Sequence, residues 1–184
     1  MIKSRQIIIG VTGGIAAYKS AEIVSYLHQQ NACVTVVMTE SATRFITPLT
    51  FQTLSHNRVY VGLFEAEESY DPQHISLAEK TDLVVIAPAT ANIIGKIAHG
   101  IADDLLSTII MVVKAPVLVA PAMNANMYRN PIVQENVKKL KKSGYTIIEP
   151  EEGYLACGKT GPGRMAAPDK IIAAIESILK SRKK

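Results

Sequence analysis

Five short stretches of the chain hold residue types that could do chemistry. Gly10-Val11-Thr12-Gly13-Gly14 closes the apolar run that starts at Ile7. A glycine turn between a buried strand and a helix offers backbone N–H groups to a phosphate. It falls short of a dinucleotide fingerprint, because no acidic residue stands near position 30 to take a ribose hydroxyl. Close backbone packing would also account for Gly13 and Gly14. Thr39, Ser41 and Thr43 set three hydroxyls after a second apolar run. They could bind phosphate or cap a helix, and taken alone capping is the simpler reading.

The other three stretches carry proton-transfer and carboxylate-binding groups. His74 follows a polar segment and precedes Ile75 and Leu77. It reads either as a surface residue or as a base, since histidine changes charge closest to neutral pH. His28, His56 and His99 show no metal-ligand spacing with it or with one another. Pro121-Ala-Met-Asn-Ala-Asn-Met-Tyr128 places two asparagines where a core would leave them without partners. An asparagine can hold a carboxylate without the full charge of an arginine, while Met123 and Met127 could be plain packing. Cys157 lies within Gly153–Met165, flanked by glycine, where a thiol is more often functional than in a strand. Cys33, among Val34, Val36 and Val37, reads as core.

The elements that must position these residues alternate along the chain. Ile7–Val11 reads as a strand and 15–30 as an amphipathic helix, with Ile15, Tyr18, Ile23, Val24 and Leu27 on one face. A second strand covers Ala32–Met38, followed by short helices at 41–45 and 50–55 with Pro48 between them. The acidic segment 63–73 reads as a surface loop, and 74–80 as a short helix. A strand from Asp82 to Ala87 is expected to break at Pro88, with helices over 91–100 and 103–111. A strand at 116–120, a helix at 132–142 and a strand at 145–148 follow. Segment 149–168, with four glycines and three prolines, has no periodic face and reads as a functional loop, since a helix at 169–180 resumes the fold. Strands that are apolar throughout need cover on both faces. The expected architecture is therefore α/β: a three-layer Rossmann-like (flavodoxin-like) sandwich with a mostly parallel sheet, in one domain over 1–184. Thr12–Gly14, Thr39, 88–92 and 121–126 all fall at the carboxyl ends of strands, where such sheets bind ligands.

Bulk properties narrow the function classes. The 184 residues are 48% hydrophobic and 20% charged, without Trp, and carry a net charge of +4. Seven of the 20 basic residues lie at 138–142 and 182–184, and a solvated helix face with a frayed end explains them better than nucleic-acid binding. A mild positive charge suits anionic ligands. Two cysteines do not make a disulfide framework. No secretory leader and no membrane span are read from the sequence, so the expected setting is the cytoplasm.

Gly13-Gly-Ile-Ala-Ala-Tyr-Lys19, His74, Pro88-Ala-Thr-Ala-Asn92, Gly100-Ile-Ala-Asp-Asp-Leu-Leu-Ser107, the 121–128 string and Cys157–Met165 occur in one order over essentially the whole chain. In this the sequence resembles the phosphopantothenoylcysteine decarboxylases of the homo-oligomeric FMN-containing cysteine decarboxylase family. Position 128 is Tyr where many members carry Trp. The resemblance implies an FMN enzyme of coenzyme A biosynthesis that converts 4′-phosphopantothenoylcysteine to 4′-phosphopantetheine through a thioaldehyde. It places the FMN phosphate near Gly13, Gly14, Thr39 and Ser41, and the flavin ring near Thr90, Asn92 and Ser107. His74 and Cys157 would be catalytic, the latter as an acid on a closing flap over about 149–168. Asn124 would bind the substrate carboxylate, with Ala122, Met123, Met127 and Lys159 around the substrate. It further implies a trimer or dodecamer with FMN at subunit interfaces, and a functional link to a phosphopantothenate–cysteine ligase. That ligase is often the second half of a bifunctional chain, and this sequence reads as a stand-alone decarboxylase. A peptidyl-cysteine decarboxylase and a non-catalytic FMN-binding regulator are the alternatives.

Overall fold

A computed structural model of the chain describes residues 2–63, 73–156 and 158–181. Six parallel strands form the central sheet: β1 (Gln6–Val11), β2 (Cys33–Met38), β3 (Val59–Tyr60), β4 (Leu83–Ala89), β5 (Val117–Pro121) and β6 (Thr146–Ile147). Their spatial order is β3-β2-β1-β4-β5-β6. Setting aside the two-residue edge strand β3, the order is the flavodoxin-like one, and with β3 it is the full doubly wound order.

The apolar strands owe their character to burial on both sides. Ile7, Ile9 and Val11 join one hydrophobic cluster, whereas Ile8 of the same strand joins the other. Leu83, Val85 and Ala87 alternate with Val84 and Ile86 in the same way, as the two-residue period of a strand requires. The first cluster is closed by α1 (Ala17–Gln29), α2 (Pro48–Ser55) and α8 (Pro168–Ser181). The second is closed by α3 (Gln73–Lys80), α4 (Ala91–His99), α5 (Leu105–Val112) and α7 (Pro131–Lys142). A short helix, α6 (Ala125–Arg129), follows β5. Among the described residues, no helix is long and apolar enough to cross a membrane.

Several expectations are corrected. Ile15 and Tyr18 are not on the buried face of α1: they are 59% and 60% exposed, and Ala17, Ser20, Ile23, Val24 and Leu27 make that face. The helix starts only at Ala17, so the 3.6-residue period does not extend back to Ile15. Pro88 does not end its strand, because β4 runs on to Ala89 through a cis Ala87–Pro88 bond. The β4–β5 register shifts between Ile86 and Ala89, and a proline is tolerated where a ladder is interrupted. Pro48 opens α2 at its first position rather than separating two helices. Cys33 is half-buried at the start of β2 rather than core.

The 149–168 segment contains an antiparallel hairpin, β7 (Glu151–Tyr154) and β8 (Thr160–Arg164). Its alternate inward positions on β8 are Gly161 and Gly163, so no apolar alternation marks it in the sequence. A Cβ on Gly163, whose φ is +120°, would lie 2.2 Å from the Met123 carbonyl oxygen, and one on Gly161 would lie 2.9 Å from Ala125 Cβ. Glycine is what lets the hairpin lie directly on the segment after β5.

Candidate active site

β1 sends its chain to α1 on one face, and β4 sends its chain to α4 on the other. The strand ends therefore part and leave a crevice, the usual binding position in a doubly wound sheet. A cleft of about 810 Å³ occupies it. Thr12, 2% exposed, ties the two strand ends together. Its hydroxyl donates to the Pro88 carbonyl at 2.8 Å and accepts from the Thr90 N–H at 3.1 Å. Thr90 in turn caps α4, accepting from the Ile93 N–H at 3.4 Å. Ser20 donates to the Ala87 carbonyl and fixes α1 against β4.

At the β1–β2 side of the cleft, Gly13 and Gly14 meet Thr39 and Ser41. A Cβ on Gly13 would lie 2.5 Å from Ser41 Cβ, so the turn can approach the Thr39–Ser41 segment only as glycine. Thr39 precedes a 3-10 turn, Glu40–Arg44, but its side chain makes no cap hydrogen bond. Its Oγ1 is buried and has no hydrogen-bond partner among the described residues. Such a group costs about 1–3 kcal/mol unless something pairs with it. This overturns the capping reading for Thr39 and suits an oxygen-rich ligand at the glycine turn. Thr43, by contrast, donates locally to the Glu40 carbonyl at 2.7 Å.

On the α4–α5 side a charge network lines the cleft. Lys96 Nζ lies 2.6 Å from Asp103 and 2.8 Å from Asp104. Asp104 also accepts from the Ser107 N–H at 2.8 Å, forming a capping box with Ser107 that starts α5. Burial opposes the Asp104 charge, but hydrogen bonds from Lys96 and Ser107 outweigh it and hold the carboxyl below its ordinary pKa. Burial likewise opposes the Lys96 charge, and its two aspartates outweigh that and raise its pKa.

The β5 end supplies the last wall. Ala122 N–H donates to the Ala89 carbonyl at 2.9 Å, and Met123 N–H to the Gly163 carbonyl at 2.9 Å, so this segment bridges β4 and the hairpin. Asn124 lines the cleft and starts α6, its Oδ1 accepting from the Asn126 N–H at 2.8 Å. Tyr128 is anchored by Glu149, which Lys141 also holds. Burial first, then the Glu149 carboxylate, push the Tyr128 hydroxyl pKa up, so it stays a donor.

Gly13, Gly14, Thr39, Ser41, Thr90, Asn92, Ala122, Met123, Asn124 and Met127 thus line one cleft. Ser107 does not line it: the residue is fully buried and its hydroxyl serves the capping box. Lys159 is exposed on the hairpin turn, away from the cleft wall. His74 is half-buried in the first turn of α3, which packs on α5, and it does not line this chain's own cleft. Cys157 lies outside the described residues; its neighbour Ala156 lines the cleft. Sequence reasoning passed over Lys19, Lys96, Asp103, Asp104 and Arg164, which all line it. The signal was present for Lys19, Asp103, Asp104 and Arg164, which lie within motifs carrying the resemblance, whereas Lys96 falls between two of them.

Two consequences are measurable. Replacing Thr39 with Val removes the unpaired hydroxyl at nearly constant volume, so ligand-free protein should be as stable or gain about 1 kcal/mol in urea denaturation. A loss of more than that would show that the hydroxyl is already satisfied. The depressed Asp104 pKa adds stability that is complete above the unfolded value of about 3.9 and is lost as pH falls through the lower folded value. Asp104→Asn should therefore cost about 1–2 kcal/mol at neutral pH, and the gap to the native chain should narrow in strong acid. A gap independent of pH would remove the charge from the account.

Comparison with known proteins agrees with this geometry. The family model "Flavoprotein" matches residues 1–180. The chain is 49% identical over 176 residues to the "Coenzyme A biosynthesis bifunctional protein CoaBC" of Bacillus subtilis (strain 168), covering 96% of this chain and 43% of that protein. It thus spans less than half the length of that relative. A "Probable phosphopantothenoylcysteine decarboxylase" of Streptococcus mutans is 42% identical over 178 residues, covering 96% of this chain and 99% of the relative. Among solved structures, the FMN-dependent cysteine decarboxylase SpaF superposes with a TM-score of 0.86 at 31% identity, covering 98% of each chain. A PPC decarboxylase mutant complexed with pantothenoylaminoethenethiol superposes with a TM-score of 0.85 at 30% identity, covering 97% of this chain and all of the other. The sequence motifs, the doubly wound sheet and the cleft at its switch point are those of a member of the Flavoprotein family, and the chain belongs to it.

Proposed function

We propose that this chain is an FMN-dependent decarboxylase that converts 4′-phosphopantothenoylcysteine to 4′-phosphopantetheine and CO₂, a step of coenzyme A biosynthesis. The observation that carries the reading is a single cleft with two unlike ends. One end offers the glycine turn and the unpaired, buried Thr39 hydroxyl, and the other offers Asn124 beneath a docked hairpin. The names of the Bacillus and Streptococcus relatives and of the PPC decarboxylase structure support the substrate, and that of SpaF supports FMN.

The residues present fit that cofactor. Gly13 lets the turn close onto Ser41, so the turn, Thr39 and Ser41 would together hold a phosphate, and Thr90 and Asn92 would border the ring. When bound, FMN supplies reversible two-electron chemistry, which takes the substrate's –CH₂–SH to a thioaldehyde and later returns the electrons. A C=S group next to the carbon bearing the carboxylate gives the electrons released with CO₂ somewhere to go. Asn124 would hold the carboxylate by neutral hydrogen bonds, which resist its departure less than an arginine would. The hairpin would keep water from the thioaldehyde. Cys157 would deliver the proton that balances the net reaction, in which one proton is taken up for each CO₂ lost. His74 would accept the thiol proton.

Because His74 is absent from its own chain's cleft, it would serve the cleft of a neighbouring copy. Ile15, Tyr18 and Met127 on the cleft rim are 59%, 60% and 48% exposed, and large apolar side chains there suit a subunit contact in a trimer or dodecamer. The functional partner would be a phosphopantothenate–cysteine ligase, and the site of action the cytoplasm.

An anaerobic assay of FMN-loaded protein with 4′-phosphopantothenoylcysteine tests this reading. CO₂ and 4′-phosphopantetheine should form in equal amounts over many turnovers, and His74→Asn should keep its flavin while losing about 100-fold or more in kcat. CO₂ release only from peptides ending in cysteine, or from no cysteine compound at all, would contradict it in favour of a peptidyl-cysteine enzyme or a flavin-binding regulator.

A further inference from the structure

The charges in the cleft are unevenly matched. Lys96 has two aspartates, whereas the side chains of Lys19 and Arg164 line the same cleft with no direct hydrogen bond or ion pair to another described residue. The two sit on different elements, Lys19 in the first turn of α1 and Arg164 at the end of β8. Arg164 is held there by its neighbour Gly163, whose carbonyl accepts the Met123 N–H. Glu151, a carboxylate that acts on both cations, is engaged by Lys170 at 2.7 Å. Burial first and the Arg164 charge second hold the Lys19 pKa below its ordinary value. Glu22 also acts on Lys19 from a distance, but neither Glu22 nor Glu151 forms an ion pair with either cation. Two like charges held near each other with no directly bonded counter-charge favour an anion between them.

Three anionic groups would enter this cleft if it holds FMN and the proposed substrate. The flavin phosphate is provided for by the glycine turn and Thr39, and the substrate carboxylate by Asn124. The remaining group is the substrate's own phosphate. A phosphomonoester carries a charge of about −1.5 to −2 at neutral pH, which two cations balance. We propose that Lys19 and Arg164 form the binding site for the phosphomonoester of the substrate. The assignment rests on the decarboxylase reading above. Binding there bridges α1 and the hairpin, so the phosphate that marks the correct substrate also fastens the cover over the reacting end.

The test compares FMN-loaded native protein with Lys19→Gln, Arg164→Gln and the charge-keeping Arg164→Lys. Each is assayed with 4′-phosphopantothenoylcysteine and with unphosphorylated pantothenoylcysteine. Binding of 4′-phosphopantothenate, which lacks the cysteine, is read separately from the flavin absorbance. The native protein should prefer the phosphorylated substrate, and each glutamine variant should lose about tenfold or more of that preference, chiefly through KM. Affinity for 4′-phosphopantothenate should fall by a similar factor, with Arg164→Lys in between. A preference that survives in both glutamine variants overturns the proposal. So does loss of FMN instead of substrate discrimination, which would give the pair to the flavin phosphate. If the native protein releases CO₂ from neither compound, the decarboxylase reading fails on its own. The binding measurement then still decides the site: weaker 4′-phosphopantothenate binding in the variants supports it, and equal or absent binding overturns it.

Discussion

A parallel sheet buried on both faces has to send its connecting helices to one side or the other, and the rest of the structure depends on where that choice reverses. Here it reverses between β1 and β4. The carboxyl ends of those strands cannot be filled by either helix layer, and a cleft results. The Thr12 hydroxyl spans the gap at its floor, donating to Pro88 and accepting from Thr90. With that clamp the glycine turn after β1 and the helix start after β4 become opposite walls at a fixed separation. The ends of β2 and β5 extend the walls, and the hairpin closes onto the β5 side through Gly163.

Much of this was legible in the sequence because its cause is local. Continuous apolar runs such as Ile7–Ile9 and Leu83–Ile86 announce strands covered on both faces. Four chemically unusual segments at strand ends announce the cleft. What the sequence obscured depends on contacts made at a distance. Ile15 and Tyr18 look like part of an apolar helix face and instead stand exposed at the cleft rim. Pro88 looks like a strand end because nothing local shows the register shift that accommodates it. The hairpin looks like a loop in the sequence because its buried β8 positions are glycines, which carry no hydrophobic signal. Thr39 looked like a cap, and only its burial without a partner distinguishes it.

The site divides its labour between fixed and unsatisfied groups. Asp104, Lys96 and Ser107 satisfy one another, and their hydrogen bonds hold the start of α5 in place beside the cleft. Thr39 keeps a buried hydroxyl without a partner among the described residues, and the Lys19 and Arg164 side chains line the cleft without a direct ion pair, so all three can pair with a ligand. His74, Ser107 and Lys159 are the described residues assigned to the site from sequence that do not line the cleft. His74 belongs to the same motif set but does not line its own chain's cleft.

The central claim is that the crevice between β1 and β4 is a flavin site whose glycine turn and Thr39 grip a phosphate. Titrating flavin-free protein with FMN and with riboflavin, followed by quenching of flavin fluorescence, tests it most directly. The account predicts that FMN binds about 100-fold or more tightly than riboflavin, as two charge-assisted hydrogen bonds would give. Equal affinity for the two flavins would contradict it.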